Sequence, residues 1–150
     1  MSDYFTDSPS LVVQNFMVDN SIFTLPSAAG DWPLYISSLP DGDNIEDNAG
    51  AVSEASPMLD GRLFTSGAMV QHYGISFTIR CTDYETGWQK CLSILTLLVA
   101  TAQSDISLGA NDYLIEAFSV MSGIVYLGVE TGTKRRYLFE LTFTVTMRQV

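Results

Sequence analysis

The feature that most constrains this chain is the run from Arg136 to Arg148. Tyr137, Phe139, Leu141, Phe143, Val145 and Met147 occupy every second position, with Glu140, Thr142, Thr144, Thr146 and Arg148 between them. A period of two places the two sets on opposite faces of a β-strand. Threonine suits the second set, because β-branched side chains fit a pleated surface. A face as apolar as the first must be covered, so the rest of the chain has to supply a packing layer.

Other segments supply both strands and cover. Ile75, Phe77, Ile79 and Cys81 alternate with Ser76, Thr78 and Arg80, which predicts a half-buried strand over 73–81. Thr82-Asp83-Tyr84-Glu85 fits a capping box with Thr82 as the cap. Trp88, Leu92, Leu95, Val99 and Ala102 then follow at helical spacing and predict one apolar stripe. Ser8-Pro9 opens an earlier helix, with Leu11, Val12 and Phe16 on its apolar side and an end near Asn20. Trp32–Leu39 reads as a strand closed by Pro40. Met58–Met69 reads as another, interrupted at Gly61 and Gly67, and 112–121 and 124–130 as two more, the last leading into a turn at Thr131-Gly132-Thr133. Residues 1–7 read as a loose tail. Residues 41–57, acidic and nearly devoid of bulky apolar groups, read as a long loop. The order of helix, strands, helix, strands predicts one α+β domain over 1–150. Its sheet is mixed but mostly antiparallel, with the N-terminal and central helices packed on one face.

Charge narrows the range of partners. The net charge is −10, and residues 1–60 hold ten Asp/Glu with no Lys or Arg, so the whole excess lies there. Such a surface repels phosphate backbones and anionic membranes alike. Only 16% of residues are charged, against roughly 25% in ordinary soluble domains, so polar surface comes from Ser, Thr, Asn and Gln or else apolar surface is covered by a partner, a mild hint of oligomerisation. Cys81 and Cys91 read as buried free thiols rather than a disulfide framework or zinc ligands. The acidic start Met1-Ser2-Asp3-Tyr4 is unlike a signal peptide, and Leu92–Ala102 is too short to span a bilayer. The expectation is a soluble chain made in the cytoplasm.

Candidate chemistry is sparse. His72 is the one histidine and reads as a polar loop residue just before a strand. Asp41, Asp43 and Asp47 resemble a calcium loop, but Ile45 occupies a ligand position and no glycine follows it. A weak Mg²⁺ contact affecting assembly is the most that this pattern suggests. Gly128 to Lys134 has the flavour of a phosphate loop, but its glycines are one residue too close and a strand follows. No catalytic residue, cofactor site or dedicated metal site is expected. The candidate interaction residues are Asp41, Asp43, Glu46 and Asp47 in the acidic loop, with Lys134, Arg135 and Arg136 at a hairpin tip. The basic triplet is either a solvated turn or a contact to an acidic neighbour, such as the acidic loop of another copy.

One arrangement is familiar. Trp32-Pro33-Leu34-Tyr35 leads through Leu39-Pro40-Asp41 to the acidic loop and then Asp60-Gly61-Arg62. The strand Gly74–Cys81 follows, with Thr82-Asp83-Tyr84 opening a helix, and a long alternating strand comes after. Over most of residues 8–148 this resembles the tail terminator, or minor capsid, family of long-tailed double-stranded DNA bacteriophages. The resemblance implies an α+β domain that assembles into a homohexameric ring at the tail–neck junction of the virion. Such a ring caps the tail tube, ends its polymerisation and offers its other face to a head-completion protein, while DNA passes through without specific binding. The alternatives are another neck or connector component of the same particle, or a small acidic ligand-binding domain.

Overall fold

The computed structural model describes residues 5–28, 30–40, 46–62, 69–120, 122–130 and 135–150. Helix α1 spans Pro9–Asp19, with Ser8 as its cap accepting from the Leu11 amide and Asn20 closing it. Three strands follow: β1 (Leu34–Ile36), β2 (Ala49–Arg62) and β3 (Met69–Cys81). Helix α2 (Tyr84–Ala100) then precedes β4 (Ser104–Leu108), β5 (Asn111–Val120), β6 (Val125–Glu130) and β7 (Arg136–Gln149). The α+β arrangement expected from the pattern is the one observed.

The strands form one sheet in the order β1-β2-β3-β7-β5-β4, with β6 also paired to β7. The β1–β2 pair is parallel and every other pair of these strands is antiparallel. Strand β7 is the axis of the sheet. One of its sides pairs with β3 along its length, and the other is shared end to end by β5 and β6. Ile75, Phe77 and Ile79 lie opposite Phe143, Leu141 and Phe139, so these apolar rows share one face. Both helices cover that face. Val12, Val13, Phe16 and Met17 of α1 join Cys91, Ile94 and Leu98 of α2 and the strand rows in a single core. The Phe77 ring stacks between Phe23 and Phe143, at centroid distances of 6.1 and 5.4 Å.

Several expectations need correction. The loop expected over 41–57 is shorter, because β2 begins at Ala49. The strand expected over Met58–Met69 is instead the far end of β2, which runs to Arg62, and Met69 opens β3. Ala49, Gly50, Ala51 and Val52 look like loop residues by size, yet they are buried. A Cβ on Gly50 would come 2.7 Å from the Phe23 ring, so the small residues are what let Phe23 lie on the strand. The expected strand Trp32–Leu39 contracts to Leu34–Ile36, since Trp32 and Ser37 at its flanks adopt positive φ values of 61° and 80°. Residues 5–7 are not loose. The Phe5 ring packs on Tyr73 and Tyr113, and the Asp7 amide donates to the Tyr113 hydroxyl at 2.8 Å. His72 lies within β3, its Nδ1 2.8 Å from the Thr146 hydroxyl.

The central helix is capped and oriented differently from its pattern. Asp83, not Thr82, is the cap, and its carboxylate accepts from the Thr86 amide and hydroxyl, both at 3.0 Å. The buried stripe is Gly87, Cys91, Ile94 and Leu98, one position away from the apolar stripe read from spacing. Gly87 sets this rotation: a Cβ there would lie 2.3 Å from Cys81 Sγ and 2.6 Å from the Phe139 ring. The backbone therefore sits directly on the sheet. Leu92 and Val99 consequently face outward, at 38% and 78% exposure. Ala102 lies beyond the helix. Cys81 and Cys91 are buried free thiols, as expected. Strand β4 and its tight turn at Gly109, where φ is +63°, were not foreseen. The segment at Gly67 and the Thr131-Gly132-Thr133 turn lie outside the described residues.

Candidate interaction site

The face of the sheet opposite the helices carries Arg80, because its position alternates with the core residues Ile79 and Cys81. Its pair partner across the ladder on β7 is Leu138, and on β2 it is Ala49. Two positions before Leu138, Arg136 points to the same side, opposite Glu130 of β6. The two arginines are almost completely buried, at 0% and 4% exposure. Buried guanidinium groups must be paired and hydrogen-bonded to persist, and the chain supplies those partners from the segment that precedes β2.

Arg80 reaches both ends of the acidic segment. Its Nη1 donates to the Pro40 carbonyl at 2.7 Å and its Nη2 to the Glu46 carbonyl at 2.8 Å. One side chain thus ties together two points of the chain whose intervening acidic sequence gives them little reason to meet. Arg136 holds the next residue, with its Nη2 3.0 Å from Asp47 Oδ1. Glu130 lies between the arginines, 3.9 Å from Arg80 and 3.7 Å from Arg136. The Tyr35 hydroxyl donates to Glu46 at 2.8 Å. The residue's own backbone N–H first, and this bond second, hold the Glu46 carboxyl below the usual carboxylate range. Tyr35 is shifted upward, first by desolvation and then by Glu46. Asn48 adds a further tie by accepting from the Thr82 amide at 3.3 Å.

The cluster is a fastener in chemical terms. Guanidinium groups do not release protons near neutral pH, and their planar donors suit carbonyls and carboxylates. A polar groove of about 310 Å³ lies alongside, lined by Asp31, Trp32, Glu46, Asp47, Asn48 and Thr82 among others. Among the described residues, no group of three His, Cys, Asp or Glu side chains is placed to hold a metal ion.

Of the residues singled out from sequence, the structure brings together Glu46, Asp47 and Arg136. Asp41, Asp43 and Lys134 lie outside the described residues. Arg135 is exposed, with its guanidinium 5.6 Å from the Tyr137 ring. The basic triplet was read as a solvated turn or, as the alternative, a contact to the acidic loop of another copy; here Asp47 and Arg136 meet within one chain. Sequence reasoning missed Arg80, Glu130 and Tyr35 as members of the site. The signal for Arg80 was present: an arginine on the polar face of a strand whose other alternate residues there are uncharged. Nothing local in the sequence marks Glu130 or Tyr35.

A second surface feature is apolar. Besides Leu92 and Val99 on α2, strand β6 exposes Val125, Tyr126, Leu127 and Val129 at 38–49%. Among the described residues β6 pairs with β7 alone. Tyr84 at the start of α2 packs its ring on Tyr126, Tyr137 and Phe139, tying the helix to this strand. A third feature is a mostly apolar hollow of about 480 Å³ lined by Ile22, Phe23, Leu25, Trp32 and Lys90 among others. The Lys90 ammonium sits 4.6 Å and 5.0 Å from the Phe23 and Trp32 ring centres and donates to the Ile22 carbonyl. No helix among the described residues is long and apolar enough to cross a membrane.

No family model and no curated protein sequence matches this chain.

Proposed function

We propose that this chain is a structural virion protein of a long-tailed phage, a tail terminator. Six copies close a ring that caps the tail tube, ends its polymerisation and offers the opposite face to a head-completion protein. No catalytic step, cofactor or membrane contact belongs to this role, and Mg²⁺ enters at most as a weak aid to assembly. DNA crosses the lumen without being held, because a chain of net charge −10 repels it.

The observation that carries the reading is the position of Arg80. The segments on which the resemblance rests are far apart in sequence: Leu39-Pro40, the acidic stretch, and the strand end at Arg80. They meet at one guanidinium, which bonds to Pro40 and Glu46. An arginine that anchors both flanks of an acidic segment suits a protein that displays that segment on a larger assembly. The exposed apolar residues of β6 and the low charged fraction suit a chain that is finished only by neighbours.

Tube growth provides the test. Purified tail-tube subunit of a long-tailed phage carrying this protein is allowed to polymerise with and without it. Tubes that stop at short lengths and carry density at one end are expected. Tubes of unchanged length with bare ends would count against the role.

A further inference from the structure

Two local devices build the hollow that Lys90 lines. Helix α1 ends in a Schellman arrangement, in which the Ile22 amide donates to the Met17 carbonyl and the Ser21 amide to the Val18 carbonyl, both at 3.0 Å. Ser21 takes the left-handed position of that motif, with φ 61°. The chain then turns, and Phe23 is buried against Phe77 of the sheet. Thr24 forms a parallel bridge with Pro33. Its amide donates to the Trp32 carbonyl at 3.0 Å, and its carbonyl accepts from the Leu34 amide at 2.9 Å. That bridge returns Trp32 to the neighbourhood of Phe23. Trp32 also has φ 61°, a rare state for a bulky residue and one that collects at ligand sites.

One cation serves both rings. Lys90 Nζ lies 4.6 Å and 5.0 Å from the Phe23 and Trp32 ring centres and gives one N–H to the Ile22 carbonyl. An ammonium has three donors. Among the described residues no acceptor takes the other two, and no carboxylate lies within ion-pair distance. The ammonium is thus partly desolvated without a counter-ion, a state that burial makes costly. Burial lowers its pKa to about 8, so it is still mostly charged at neutral pH. Asp31, the other charged residue of the lining, is exposed. Ile22, Phe23, Leu25, Ala28 and Trp32 supply apolar wall. The volume, about 480 Å³, falls in the range of small-molecule sites, roughly 300–1,000 Å³.

Apolar walls with a few placed polar groups are the general form of a ligand site. Here the ammonium sets the sign of the ligand's charge, and the walls set its body. A neutral ligand would leave the ammonium without a partner. A bare inorganic anion would leave the apolar wall uncovered. We propose that the hollow binds a small amphiphilic carboxylate, its head group paired with Lys90 Nζ and its apolar body lying against Phe23, Leu25 and Trp32. The site goes beyond the ring reading above and does not depend on it. The chain's net charge of −10 repels anions in general, so burial of the apolar body holds the ligand while the charge-assisted hydrogen bond to Lys90 orients it.

Titration of the full chain with octanoate, and separately with octan-1-ol, tests it. Binding is followed by amide and indole NMR shifts. Octanoate is expected to bind saturably, with shifts gathered at Ile22, Phe23, Thr24, Lys90 and the Trp32 indole. Octan-1-ol, which has the same chain without the charge, is expected to bind at least about tenfold more weakly. Lys90→Met keeps an apolar side chain and removes the charge. It is expected to weaken octanoate by at least about tenfold and to leave octan-1-ol within about twofold. Its fold is checked by thermal melting. Should it not fold, the comparison of the two probes on the wild-type chain decides alone. Equal affinity for the two probes, or an octanoate affinity that Lys90→Met leaves unchanged, would reduce Lys90 to a tie between α2 and Ile22 and overturn the proposal. So would octanoate shifts that do not saturate, or that gather on other surfaces.

Discussion

Arg136 of β7 holds Asp47, 89 positions away in sequence, through two donors: its Nε and Nη2 lie 3.2 and 3.0 Å from the same carboxylate oxygen. With Arg80 bonded to the carbonyls of Pro40 and Glu46, the end of the acidic segment is fixed to the sheet from two sides. The Arg136 side chain is 5% exposed, while Asp47 and Glu130 keep 36% and 26%. Removing the cation therefore takes a positive charge away from two half-covered carboxylates. Arg136→Met is expected to lower unfolding free energy by about 2–3 kcal/mol. Arg136→Lys should recover only part of this, because a single ammonium cannot reproduce the planar fork. Urea unfolding monitored by tryptophan fluorescence decides the matter, and a Met variant with the wild-type midpoint would remove the fastener from the account.

The close seat of α2 on the sheet gives a second expectation. In an ordinary helix, Gly→Ala stabilises by roughly 1 kcal/mol. At Gly87 the new methyl would meet Cys81 Sγ at 2.3 Å and Phe139 at 2.6 Å, so the sign reverses. Gly87→Ala is expected to cost about 1–3 kcal/mol through overpacking. Adding Cys81→Ala should make room, so the Gly87→Ala step costs less in that background than in wild type. Equal costs in the two backgrounds would mean that the helix does not approach as closely as Gly87 allows.

Lys90 gives a third, through pH. Its burial beside Phe23 and Trp32 disfavours the ammonium and lowers its pKa from 10.5 to about 8. The folded chain then binds fewer protons at this site than the unfolded chain between about pH 8 and 10.5, so this contribution to stability rises with pH across that window. Cys81 and Cys91 act in the opposite sense. Burial pushes their thiols up from 9.0 to about 11 and about 12, so the folded chain holds protons that the unfolded chain loses, and stability falls above about pH 9. A difference measurement separates the two effects. The stability of Lys90→Met relative to wild type should be greatest near pH 7 and shrink as pH rises from about 8 towards 10.5. A difference that does not change with pH would show that the ammonium is not desolvated.

How much of this was legible depends on how local the cause is. The alternation along β7 and the Ser8-Pro9 helix start are written in adjacent residues, and both elements appear where the sequence puts them. The core strand through Ile75, Phe77 and Ile79 was readable for the same reason. The orientation of α2 was not, because it depends on Gly87 meeting Cys81 and Phe139 across space, while spacing alone favoured the bulkier Trp88–Leu92–Leu95 row. The start of β2 was hidden by the small size of Ala49, Gly50 and Ala51, which is the property that lets Phe23 cover it. The fastener was half legible. Its acidic and basic members were marked by charge, but nothing in sequence said that Arg136 would turn inward to Asp47 of its own chain while Arg135 stayed outside.

The central claim, a ring of identical copies, is tested most directly by the mass of the full chain in solution over a concentration series, with and without Mg²⁺, followed by electron microscopy of the largest species. The account predicts a species of six chains that images as six-fold rings and that changes little when Mg²⁺ is removed. A chain that remains single at every concentration, in either condition, would contradict it.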